Sequence, residues 1–217
     1  MHRPVVLMTA ALMVGGLVAC ADDDKSSSTA QDQTTVAVED ETMTSTTEGQ
    51  AAVANTHTAQ AGEPALISVP GYAYEDLTGN DLALYQQDVV AASVVANEEM
   101  RQAHPELGDL YLGSSGHKVV ADGSEVALFA MGGINQAYLD AGVLTENDLL
   151  EEMAADEADL GATVSTMTIA GENVVHAENF GLYAYFWVHD GAKTALFGSD
   201  EGAVLDFVEA YLEVANK

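Results

Sequence analysis

Cysteine is nearly missing from this chain: its 217 residues hold a single one, Cys20. No disulfide can form within one molecule, so any fold must rest on the packing of its core. Basic residues are almost as scarce, with six Lys and Arg against 35 Asp and Glu and a formal net charge of −29. Recognition of nucleic acid is thereby excluded, because phosphate binding needs clustered positive charge. Aromatic residues are absent from Ala21 to Glu63. That stretch cannot bury enough apolar area to offset the entropy lost on ordering.

What is present begins at the N-terminus. His2 and Arg3 supply positive charge, Val5 to Val18 form an apolar run too short to span a bilayer, and Leu17-Val18-Ala19-Cys20 ends it with a small residue before the cysteine. These twenty residues resemble a bacterial lipoprotein signal peptide with its lipobox. The resemblance implies that residues 1–19 are removed and that Cys20 is acylated on its sulfur and its new amino group. A single acyl chain, at about 0.8 kcal/mol per buried CH₂, holds a protein only marginally, whereas two or three make desorption negligible. The protein is thus expected to be lipid-anchored to a bacterial membrane, with its remaining residues outside the cytoplasm. The bilayer is then its first partner.

Residues 20–63 are rich in Thr, Ser, Gln and Ala and carry the acidic runs Asp22-Asp23-Asp24 and Glu39-Asp40-Glu41. They read as a flexible tether with an r.m.s. span of roughly 35 Å. The acidity fits two accounts. A chain adapted to high salt carries such a surface because screening removes its self-repulsion, and a moderately acidic domain on an acidic tether has the same composition.

Apolar and aromatic residues return at Pro64, and residues 64–217 are long enough for one domain with its own core. Leu82, Tyr85, Val89, Ala92, Ala96 and Met100 recur at helical steps after Asn80 or Asp81 as a cap, and Pro105 stops the pattern. Thr145 and Asp148 have the form of a capping box for a helix to Ala158. Strands are predicted at 163–169, 173–178 and 182–188, broken by Gly171 and Gly181. A final helix follows Ser199, with Val204, Phe207, Val208, Tyr211 and Leu212 on one face.

The segment Val120–Phe129 is echoed 68 residues later by Val188–Phe197. Each copy sets Asp-Gly between β-prone segments, a strong hairpin signal. The first copy leads through Gly132-Gly133, read as a strand-to-helix turn, into a helix at 134–141. The predicted class is α+β: an antiparallel sheet built from two hairpin-helix halves that echo one another, with helices over one face. A common turn geometry used twice produces the same echo without duplication.

Chemistry is harder to find. His176 and Glu178 share one face of a strand, and with His189 they form the only set from which a metal site or acid–base pair suggests itself. They lack a recognised ligand spacing. Gly113-Ser114-Ser115-Gly116-His117 lacks the elbow of a serine hydrolase and reads as a turn between strands. Glu98-Glu99, Glu146, Asp148 and Glu151-Glu152 read as solvated helix faces, and no calcium loop appears. No motif calls for a cofactor. Tyr183, Tyr185 and Trp187 alternate along one strand and are the best ligand-binding surface if that face is open; otherwise they are core. The leading expectation is a non-catalytic binding or interaction module whose partner is an envelope protein or a small ligand. The alternative is an extracytoplasmic hydrolase or metal-dependent enzyme using His176, Glu178 and His189.

Overall fold

The computed structural model describes residues 64–217, so the signal, Cys20 and the tether lie outside the described residues. Seven strands form one antiparallel sheet in the order β1-β2-β3-β7-β6-β5-β4. A short edge strand, β1 (Ala73–Asp76), leads into helix α1 (Gly79–Tyr85), a π-helical turn over Gln86–Val90, and helix α2 (Ala91–Ala103). The long hairpin β2 (Tyr111–Ala121) and β3 (Ser124–Ile134) follows, then α3 (Gln136–Asp140) and α4 (Glu146–Asp159). The meander β4 (Thr163–Ile169), β5 (Glu172–Asn179), β6 (Leu182–His189) and β7 (Ala192–Gly198) returns to pair β7 with β3, and α5 (Glu201–Ala215) closes the chain. The α+β class and the antiparallel sheet are as the sequence predicts.

Local signals explain most of these elements. Thr145 and Asp148 form the capping box, each side chain bonding to the other's backbone amide. Asp200, rather than the neighbouring Ser199, caps α5 by accepting from the Ala203 amide at 3.1 Å. The turns at Asp122-Gly123 and Asp190-Gly191 put both central residues at positive φ, 50° and 76° in the first, 51° and 70° in the second. This is the primed two-residue turn whose twist matches the strands it joins. Ala170-Gly171 and Phe180-Gly181 adopt the same conformation.

Three expectations change. Helices lie on both faces of the sheet, not one: α2, α3 and α4 pack over Tyr111, Val175, Ala177, Ala184 and Phe186, while α5 packs over Phe129, Met131, Trp187 and Leu196 on the other. The reason is β6, whose alternating residues are apolar on both sides, so that each side needs a cover. Gly132-Gly133 is part of β3, pairing with Lys193 and Ala192, and the chain turns two residues later at Asn135. Gly113–His117 likewise lies inside β2, with Ser115 and His117 buried at alternate positions.

The echo is one of turn geometry. Leu128 pairs with Phe197 and Phe129 with Leu196. Directly paired residues share a face, so Leu128 and Leu196 point to opposite sides of the sheet. Aligned positions of the two copies therefore face opposite sides of the sheet, and the alignment does not extend to equivalent packing positions.

Candidate functional site: a buried lysine over a small cavity

The residues singled out from sequence do not converge. Tyr185 and Trp187 are 1% and 0% exposed and sit beneath α5 with Phe129 and Tyr211. They are core, because the α5 face of β6 is covered; burial also pushes the Tyr185 phenol up to about 12. Tyr183 is half-buried and stacks on the His176 ring at 6.3 Å between centroids. His176 Nε2 lies 3.9 Å from Glu201 Oε1, whereas His189 Nδ1 lies 3.2 Å from Glu172 Oε1. Glu178 is exposed and paired with Tyr183 in the ladder. His189 is four residues along β6 from Tyr185, the ladder partner of His176, which is roughly 13 Å at strand rise. Among the described residues no group of three or more His, Cys, Asp or Glu side chains is placed to hold a metal ion.

A different constellation lies on the opposite face. Opposite Lys193 on β7 stands Gly132 on β3, and opposite Ala195 stands Ala130. These small residues leave the sheet floor low where its neighbours Phe186 and Phe197 stand high, and a cavity of about 40 Å³ results. Met153, Asp156 and Glu157 of α4 roof one side, and Asp88 and Val89 roof the other. That second pair belongs to the π-helical turn, an irregularity found disproportionately at functional sites. Asn97 secures this roof, donating to the Tyr111 carbonyl at 2.9 Å and accepting from its amide at 2.7 Å.

Lys193 is 6% exposed, and its Nζ has no hydrogen-bond partner among the described residues. Its Nζ lies over the Tyr111 ring, 6.0 Å from the centroid. Asp88 Oδ2, Asp156 Oδ2 and Tyr111 Oη are also buried without a hydrogen-bond partner among the described residues. Burial pushes the Lys193 ammonium down from its ordinary value, against the opposing pull of Glu152 and Asp156. Burial raises Asp156, with Lys193 acting in the other direction, and burial raises Asp88. Glu157, 9% exposed, is raised to about 7 by burial and by the neighbouring charge of Asp156. Tyr111 is raised by burial first and then by Glu152 and Asp156.

An apolar cavity with a few convergent polar groups of perturbed protonation is the physical description of a small-molecule site. Sequence reasoning passed over it. The available signal was the rarity of lysine: in a chain with six basic residues, one stands at an inward strand position directly after a turn.

Comparison with family models, curated proteins and solved structures finds no match. The class defined by fold and site is thus an α+β domain carrying a lysine-centred cavity, and its function is argued from that geometry.

Proposed function

We propose that this protein is a membrane-anchored extracytoplasmic lipoprotein acting as a non-catalytic binding module, tethered through acylated Cys20, that takes a small ligand in the Lys193 cavity. The observation that carries the binding reading is the ammonium of Lys193, buried without a hydrogen-bond partner at the edge of an apolar cavity. A buried amine without a hydrogen-bond partner is costly, and such groups cluster where a ligand or a reaction needs them. The strand register, which sets His189 roughly 13 Å from the ladder partner of His176, favours this reading over a metal-dependent enzyme built on His176, Glu178 and His189.

The cavity is tested by native mass spectrometry of the protein released from membranes, beside an Ala130→Leu variant that fills the floor. Wild type is expected to retain a small molecule that the variant lacks. A bare wild-type mass would count against the binding reading. The anchor is tested separately: Cys20→Ala should abolish membrane association, and an unmodified Cys20 thiol on membrane-bound wild type would refute lipidation.

A further inference from the structure

Lysine is the only nucleophilic amine among this chain's side chains, and there are four: Lys25, Lys118, Lys193 and Lys217. Lys118 has an ordinary surface role, bridging Asp81 at 2.6 Å and Glu125 at 3.0 Å, both of which hold its ammonium charged. Lys193 is its opposite. Among the described residues it has no ion pair or hydrogen bond, and it shares the cavity lining with three acids, Asp88, Asp156 and Glu157.

The cavity also limits what it accepts. About 40 Å³ corresponds to roughly three waters, or a ligand of about four heavy atoms. Asp88, Asp156 and Glu157 on the lining oppose an anion. A neutral molecule with one polar acceptor and a short apolar body fits the lining better than a carboxylate or a phosphate.

Resting on the cavity-binding reading, we propose that Lys193 is a nucleophilic amine that captures a small neutral aldehyde or ketone as a reversible imine. Nζ of the neutral amine adds to the carbonyl carbon, the C=O π pair moves to oxygen, and a proton passes from nitrogen to that oxygen to give a carbinolamine. Transfer of a proton to the hydroxyl, for which Asp88, Asp156 and Glu157 are the acids on the lining, expels one water and leaves an iminium, whose N–H proton returns to the carboxylate to give the imine. No electron acceptor or donor is required, and hydrolysis returns both partners. Two features favour the addition: burial disfavours the charged, non-nucleophilic form of the amine, and the confined cavity holds the carbonyl beside the nitrogen.

The experiment treats folded wild-type protein with propanal and sodium cyanoborohydride, which reduces an imine to a stable propylamine, and maps the product by peptide mass spectrometry. Propylation of Lys193 is expected to exceed that of Lys118 by roughly tenfold or more. Equal modification of the lysines, or none at Lys193, overturns the proposal. In the Ala130→Leu variant, checked for cooperative melting, the Lys193 product should disappear; its persistence would show that the cavity does not deliver the carbonyl and would also overturn the proposal. Thermal shifts with 1-propanol and propionate separate the two readings. No Lys193 product, with stabilisation by either compound, defeats imine capture and leaves cavity binding standing. No Lys193 product and no stabilisation defeats both.

Discussion

Lys193 is expected to cost stability where it stands. Lys193→Met keeps the length of the side chain and removes a buried polar group that has no hydrogen-bond partner among the described residues, a condition that costs about 1–3 kcal/mol. The melting temperature should rise by roughly 2–4 °C per kcal/mol for a domain of this size; a clear fall would mean that the ammonium is stabilised by its neighbours. Glu157 makes a second prediction. Its folded value is raised to about 7 from the ordinary 4.5, so the native state holds the proton more tightly than the unfolded chain. The resulting stabilisation is complete below about 4.5, declines as pH rises, and is lost above about 7, amounting to about 3 kcal/mol. Denaturant titrations of wild type and Glu157→Gln from pH 4 to 8 should diverge in that window. Parallel curves would refute the assignment.

At the scale of elements, the turns carry the most testable chemistry. Gly123→Val and Gly191→Val place a β-branched residue at φ of 76° and 70°, which should cost about 1–3 kcal/mol each. Unchanged melting of both variants would contradict the turn geometry. Phe180 provides the reverse case, a bulky residue at φ 50° that is 91% exposed. Phe180→Asn relieves the strain and completes an Asn-Gly turn, so the variant should be more stable by about 1 kcal/mol. Most element types were legible: the strands at 163–169 and 182–188, the capping box and the buried face of α5 follow directly from alternation, a cap pair and helical spacing. The glycine-rich parts of β2 and β3 were not, because small residues read locally as turns. Their strand state comes from the ladder on either side. The π-helical turn over Gln86–Val90 also escaped a reading that treated 82–100 as one regular helix.

For the whole molecule the dominant quantity is charge. A formal −29 concentrated on so few residues predicts self-repulsion in dilute buffer. If the acidity is an adaptation to salt, the melting temperature of the isolated domain rises as NaCl goes from low to molar concentration, with other monovalent chlorides acting similarly at first. A flat profile removes that account and leaves the acidic tether as the explanation.

The sequence by itself determined what depends on neighbours along the chain: the Asp-Gly turns, the cap at Thr145, the period of α5, the paucity of disulfide and phosphate-binding chemistry, and the resemblance of residues 1–20 to a lipoprotein signal. Tertiary structure decided which face each residue serves. The register of β3 against β7 sends Leu128 and Leu196 to opposite sides, although they occupy matching places in the echo. Covering the sheet on both sides turned Tyr185 and Trp187 from a prospective surface into core. The same register set Gly132 against Lys193, and the packing of α4 and the π-helical turn brought Asp156, Glu157 and Asp88 over them. No local pattern encodes that meeting, because its members come from separate elements and converge only when strand pairing and helix packing bring their side chains to the same cavity.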